Sequence, residues 1–462
     1  MKKYSPLAFL FSLLFAVSAY AGEGRYTLPL TGGGWSLWLD KEASWQNDRL
    51  YLPHEITDLS LLPVNTPTGG WQALNDNLDA VSVEVPGTVE EYLTTSDNPR
   101  PEDFKGVSWW YRKITIPADQ ANKRHLIYFE SVRMRAEVYL DGKLVAYDLI
   151  GETPFHVDIT KEAKPGTEQL LAVRVTNPGG NFHWQDFDIQ KWGEYNIPPA
   201  RSFSGIIGRV KLESVNPVFI SDIYMQNTPE PTKVNAIISF TNETPSSVKQ
   251  DVELTVSEKN RPDKVVFRQL LKHVSFPPGK REMMIPVSVS DAKLWDLDTP
   301  ELYTCNIQIK KGKNTLDRDK KNFGFRWFSA EGVGTDAVLR LNGRRVMLRS
   351  AISWGYFPVT GLIATPEMAE KQVLTAKKLG LNMLNFHRCI GSPVVLEKTD
   401  ELGLLYYEEP GSFHSANHDP FIRTIVNEKL KRMVHRDRSH PSLIIFNLIN
   451  EFGGPFSRDK EL

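Results

Sequence analysis

The stretch Arg438-Ser-His-Pro-Ser-Leu-Ile-Ile-Phe-Asn-Leu-Ile-Asn-Glu451 reads as a buried strand that ends in a carboxylate. A carboxyl group at such an end can give a proton to a leaving group and then take one from water, provided its surroundings raise its pKa. The competing reading of Glu451 is a helix N-terminal residue favoured by the helix dipole. Upstream, Asn385-Phe-His-Arg-Cys-Ile-Gly391 puts His387 and Arg388 near the end of another short strand. Arg388 either clamps a carboxylate or holds the acid/base; alternatively, the pair caps the next helix or bonds Glu408 or Glu409. Glu408 and Glu409 follow a third strand, as ligand contacts or as solvated rim charges. Trp354 either lines a binding subsite or fills core.

These groups need a parallel sheet to bring them together, and the sequence after residue 340 supplies one. Val346–Leu348, Asn382–Asn385, Leu404–Tyr407 and Leu443–Phe446 are predicted strands. Between them lie helices. One starts at Thr365-Pro366, with Thr as N-cap and Pro at the first helical position, and runs to Gly380. Others span Pro393–Leu402, stopping at Gly403, and Phe421–His435. Strands alternating with helices of this length imply repeated βαβ units.

The preceding residues read differently. Gly22 to about Val215 holds many short strands and turns, among them Leu126–Phe129, Ala136–Leu140, Leu170–Val175 and the hairpin turn Asp141-Gly142. This predicts an antiparallel sandwich. Asn216 to about Glu331 carries a second set, including Ala236–Phe240, Val252–Val256 and Met284–Val289. Its length suits a smaller sandwich of immunoglobulin type. Residues 179–203 are rich in aromatic and polar groups (Phe182, His183, Trp184, Trp192, Tyr195); this loop either completes a binding subsite or packs domains together.

Residues 1–21 form a targeting segment: Lys2-Lys3, an apolar run from Leu7 to Val17, and the Ala19-Tyr20-Ala21 cleavage pattern. Cleavage before Gly22 would release an exported protein, periplasmic or extracellular, with no membrane span left. Only Cys305 and Cys389 are present, which argues against a disulfide framework. The formal net charge of −1 gives no signal for nucleic acid. The histidines lack zinc spacing, so neither metal nor cofactor is expected.

The motifs, taken in order, resemble glycoside hydrolase family 2. Val85-Pro-Gly87, Trp109-Trp-Tyr-Arg112, Ala136-Glu-Val-Tyr-Leu-Asp-Gly142 and Ser204-Gly-Ile-Ile-Gly-Arg209 are similar to that family's sugar-binding sandwich. Leu294-Trp295, Thr299-Pro-Glu-Leu-Tyr303 and Phe323-Gly-Phe-Arg326 resemble its immunoglobulin-like domain. Leu341-Asn-Gly343, Val346-Met-Leu-Arg349, Asp400-Glu-Leu-Gly-Leu-Leu405, Ser439-His-Pro-Ser442 and Asn450-Glu451 resemble the first half of its catalytic barrel. The resemblance implies a multidomain chain: signal peptide 1–21, galactose-binding-like jelly-roll β-sandwich 22–215, immunoglobulin-like sandwich 216–332, and the N-terminal half of a (β/α)8 TIM barrel at 333–462. It implies retaining hydrolysis of a β-glycoside, a carbohydrate as the partner, Glu451 as general acid/base, and Asn450 bonded to the sugar near C2. Asn385, His387, Arg388, Trp354 and Glu408 are the further substrate-binding candidates. Asn385 departs from the family, much of which carries Arg there, and this leaves the sugar open.

The family's nucleophile is a second Glu on a later strand, with no counterpart before Leu462. A closed barrel needs eight strands, so four are expected to leave an open edge and an apolar face. Residues 22–462 alone are therefore expected to be inactive and prone to aggregate, as a fragment of a longer enzyme. The rival reading is an exported carbohydrate-binding protein with a vestigial barrel. An adhesion or scaffold module is a third reading, resting on composition alone.

Overall fold

The computed structural model describes residues 20–21, 24–75, 78–93, 104–180, 189–198, 203–357, 360–411, 419–448 and 450. Two antiparallel sheets of five and six strands make up the first unit. The long strands Gly106–Thr115 and Glu168–Asn177 pair along their whole length at the centre of the larger sheet. Their inward residues Trp110, Ile114, Leu171 and Val173 meet Ile127, Phe129 and Leu212 of the smaller sheet in one buried core. Asp141 and Gly142 adopt positive φ at the predicted hairpin, where the tight turn requires it.

The second unit packs a three-stranded sheet on a four-stranded one. Val234, Ala236, Ile238 and Phe240 alternate inward along Lys233–Asn242, against Val252, Leu254 and Val256 of Val248–Glu258. This is the expected period-two burial of a sandwich.

A four-stranded parallel sheet follows, comprising β1 (Ser350–Ser353), β2 (Met383–Phe386), β3 (Leu405–Glu408) and β4 (Leu443–Phe446), in that spatial order. Its helices are α1 (Pro366–Lys378), α2 (Pro393–Leu402) and α3 (Pro420–Asp437). Local caps define them. The Thr365 side chain accepts from Met368 N, and Gly403 closes α2 at φ 71°. Asp419 accepts from Phe421 N and Ile422 N at the start of α3. The helices cover one face of the sheet, burying Val373, Leu384, Phe386, Leu396 and Tyr406.

The first parallel strand is Ser350–Ser353, not the predicted Val346–Leu348. The Asn382 side chain explains the shift. It accepts from Arg349 N at 2.7 Å and donates to Met347 O at 2.9 Å, replacing the ladder there. Val346 and Leu348 still pack against Trp295.

Buried contacts lock the three units together. Trp295 of the second sandwich is fully buried and donates through Nε1 to Asp400 O at 2.8 Å. Arg326 donates to Pro441 O and Leu443 O at the foot of β4. On the first sandwich, Asp148 takes Arg432 at 2.7 Å and Glu152 takes Lys429 at 2.9 Å, both from α3. Asp400 also gathers His440 Nδ1 at 2.6 Å and Ser442 Oγ at 2.6 Å. Burial opposes charge on His440, but the Asp400 carboxylate and its hydrogen bond outweigh it and raise the pKa above the ordinary imidazole value. The charged pair therefore adds stability that is full below about pH 6.5, the unfolded value, and is lost as pH rises through the raised folded value. The unfolding midpoint should fall across that window, and His440→Asn should flatten the fall; parallel wild-type and mutant curves would contradict this.

Candidate active site

Parallel register decides which side chains share an edge. Ser353, Phe386, Glu408 and Phe446 stand level across the sheet. The ladder continues one step further, with His387 N bonded to Ser353 O and Asn447 N to Glu408 O. One residue per strand therefore lies next along the C-terminal edge: Trp354, His387, Glu409 and Asn447.

Glu409 ties this row together. Its side chain is wholly buried. Oε1 lies 3.0 Å from His387 Nδ1 and accepts from Arg388 N at 2.8 Å. Oε2 accepts from Asn447 Nδ2 at 3.1 Å. The His387 ring meets Trp354 edge-on, with centroids 4.8 Å apart. The Arg388 guanidinium lies 5.7 Å from the Trp354 ring centroid, and Arg388 holds a positive φ of 56° that its N–H bond to Glu409 supports. An imidazole, a backbone N–H and a side-chain amide thus converge on one carboxylate, with the Trp354 ring held between the imidazole and the guanidinium.

Below this row on the same face stand Ile352, Asn385 and Tyr407. Burial, then the Glu409 carboxylate, pushes the Tyr407 hydroxyl up to about 12, so it is a neutral hydrogen-bonding group near pH 7. Asn385 Oδ1 and Asn450 Nδ2 are buried and have no partner among the described residues. One is an acceptor and the other a donor, the complementary pair that sugar hydroxyls use. Beside the row, a cavity between the sheet and the first sandwich is lined by Trp354, Arg388, Gly411, Ser131, Glu152 and Lys429.

Glu408 departs from the sequence reading, which grouped it with the substrate contacts. It shares the helix-covered face with Tyr406, where Oε2 accepts from Gly391 N at 3.3 Å and lies 4.0 Å from Arg436 of α3. Burial and the neighbouring Asp437 carboxylate drive its pKa far above the ordinary range, against the pull of Arg436. It supports the turn before α2 from behind the sheet. The structure brings Trp354, Asn385, His387 and Arg388 to the edge; Glu451 lies outside the described residues.

Tyr407 and Asn447 join the site without a sequence expectation, and Glu409, expected as a ligand contact or a solvated rim charge, is instead its wholly buried hub. The polar residue directly after the apolar strand was the available signal for Asn447. Of the 179–203 loop, part of the described stretch packs domains: Tyr195 meets Phe421 and Asn196 bonds Asp419 at the start of α3, while Trp192 is buried against Trp45 within the first sandwich. Phe182, His183 and Trp184 lie outside the described residues. Among the described residues, no three His, Cys, Asp or Glu side chains are grouped to hold a metal ion.

The comparison with known proteins names the class. Residues 71–198 match the model described as "Glycosyl hydrolases family 2, sugar binding domain", and residues 218–326 match "Glycosyl hydrolases family 2". The chain belongs to glycoside hydrolase family 2. It is 28% identical over 356 residues to a β-galactosidase of Thermoanaerobacter pseudethanolicus, covering 76% of this chain and 46% of that protein. It is 25% identical over 362 residues to a β-glucuronidase of Formosa agariphila, covering 74% and 36%. The chain thus spans less than half the length of either. In fold it is similar to the Bacteroides uniformis β-glucuronidase, with TM-score 0.71, 20% identity, and coverage of 93% of this chain and 47% of that one.

Proposed function

We propose that this chain carries the acid/base half of a retaining β-glycosidase site that hydrolyses O-glycosyl bonds. The observation that carries the reading is the row Trp354, His387, Glu409 and Asn447 at the C-terminal edge of the parallel sheet, with Asn450 following on the same connection. In this reading the four strands are the first half of a (β/α)8 barrel, whose chemistry sits at that edge. Glu451 protonates the glycosidic oxygen while a second carboxylate, from a later strand and about 5–5.5 Å away, attacks the anomeric carbon. The C–O bond to the leaving group breaks and a glycosyl–enzyme ester forms. Glu451 then takes a proton from water, which displaces the ester and releases the sugar with its anomeric configuration kept. Asn450 and Asn385 bond the sugar hydroxyls, Trp354 packs its apolar face, and the Glu409 hub holds His387 and Arg388 in place. The names of the relatives support a β-linked pyranoside as substrate.

The first-formed anomer, followed by NMR while a protein carrying this chain together with the second carboxylate cleaves an aryl β-glycoside, tests the mechanism. Retention is the expected result, and inversion would rule it out.

The same reading includes export. The targeting pattern of residues 1–21 lies outside the described residues except for Tyr20 and Ala21, which pair with Thr27 and Tyr26. Cleavage before Gly22 removes that short pairing and leaves the other strands of its sheet intact. Protein recovered from an exporting host should begin at or near Gly22 on N-terminal sequencing; Met1 retained on cytoplasmic protein would contradict it.

A further inference from the structure

The cavity beside the edge row differs in character from the row itself. Its volume is ≈ 100 Å³, and its walls include Trp354, Leu362, Ile363, Ala364, Phe386 and Cys389. Ile363, Ala364 and Phe386 are buried, so part of the wall is dry and apolar. Charged groups around it are matched: Lys429 takes Glu152 at 2.9 Å, Arg209 takes Glu130 at 2.7 Å, and Arg436 takes Asp437 at 2.6 Å. Ser131 also lines the cavity, and its hydroxyl is buried with no hydrogen-bond partner among the described residues. A buried hydroxyl in that state costs stability until an acceptor arrives.

Position along the row narrows what the cavity can take. Trp354 and Arg388 belong to both the cavity and the edge, so the two spaces adjoin. The rest of the lining comes chiefly from the connections after β1 and β2, residues 362–364 and 389–394, and from the first sandwich. The row runs from Trp354 after β1 to Asn447 after β4, with Asn450 and Glu451 following on the β4 connection. Three strand spacings, roughly 14 Å, separate its ends. In the retaining-glycosidase reading the leaving group departs at the Glu451 end. The cavity lies at the other end, facing the side of the sugar ring away from the anomeric carbon, where C3 and C4 stand. A bare hydroxyl there is too short and too polar to fill an apolar space. A cavity of about 150 Å³ admits benzene, so this one suits a smaller group.

We propose that this cavity is a subsite for a small acyl substituent, and that the substrate is a β-glycoside acetylated on C3 or C4 of the sugar. The placing of the ring rests on the retaining-glycosidase reading. The acetyl methyl packs among Leu362, Ile363 and Ala364, and its carbonyl oxygen accepts from Ser131 Oγ. The group carries no charge, which suits walls whose carboxylates are already paired. It is recognised and not cleaved, so the sugar leaves still acetylated.

The test compares kcat/KM for p-nitrophenyl β-galactoside and β-glucuronide, each bare, O-acetylated at C3 or C4, or O-sulfated at the same carbon. The protein is one that carries this chain together with the second carboxylate. One acetylated form should be preferred over its bare parent by about tenfold or more, the usual worth of a small group filling a pocket. Leu362→Trp, which fills the cavity, should abolish that preference, and Ser131→Ala should lower it. A ratio of substrates on one preparation does not depend on how much of a variant folds. Binding is read separately by alkylation with iodoacetamide, located by mass spectrometry. Cys389 is half-buried in the cavity wall, whereas Cys305 is fully buried in the second sandwich. An acetylated methyl glycoside should slow alkylation of Cys389, and the bare methyl glycoside at the same concentration should not. Absence of turnover on every glycoside would refute the hydrolytic reading, and protection of Cys389 would then decide the cavity alone. The proposal is overturned by no preference for an acetylated form, by preference for the sulfated one, by a preference that survives Leu362→Trp, or by equal protection from bare and acetylated glycosides.

Discussion

Glu451→Gln should lower turnover of β-glycosides with poor leaving groups by about 10²–10⁴-fold, the usual worth of a positioned general acid. Activated aryl glycosides should lose far less in the glycosylation step, because a stable phenolate departs without a proton. The measurement is kcat/KM on the active protein across aryl glycosides of graded leaving-group pKa. Wild type should give a shallow dependence and the variant a steep one. External azide should restore part of the second step, since it attacks the glycosyl–enzyme without needing a base. Equal losses on good and poor leaving groups, or no loss, would remove Glu451 from the acid/base role.

Glu409→Ala should be nearly as damaging, by a different route. The carboxylate is wholly buried and satisfies His387 Nδ1, Arg388 N and Asn447 Nδ2. Removing it leaves those donors inside the protein without acceptors, at a cost of about 1–3 kcal/mol for an unsatisfied buried group. It also frees the imidazole from its fixed orientation beside Trp354. Displacement of about an ångström at a reacting site is worth about 10²-fold in rate, so kcat/KM should fall by that order. Glu409→Gln keeps one acceptor oxygen and should recover part of both losses. The contrast with Glu408→Gln is the sharper test. Glu408 faces the helices, where its pKa is raised, and a neutral amide there resembles the protonated acid. Glu408→Gln should therefore leave kcat/KM close to wild type. Equal effects at positions 408 and 409 would mean that the two faces of β3 are not separated as described.

The distinction between these neighbouring glutamates shows where sequence reading ran out. Both follow the apolar run Leu404–Tyr407, and both were placed at the edge. In a strand, adjacent side chains point to opposite faces, and a slip of one residue exchanges them. Which face Glu409 takes depends on the register of β3 against β2 and β4, a property of three segments separated by helices. No local pattern carries it. Asn382 had the same effect at β1: its side chain replaces the ladder and moves the first parallel strand four residues beyond its predicted start.

What the residues determined by themselves was local or periodic. Thr365-Pro366 and Gly403 mark helix ends because caps act within one turn. Asp141-Gly142 marks a hairpin because both residues adopt positive φ. Alternating apolar residues such as Val234, Ala236, Ile238 and Phe240 determine sandwich strands because burial on one face has period two. The ordered motifs identified the family. Tertiary structure alone made Glu409 the hub of the edge and turned Glu408 behind the sheet. Those outcomes rest on contacts between residues far apart in the chain, whose partners are chosen by register and domain packing rather than by neighbours in sequence.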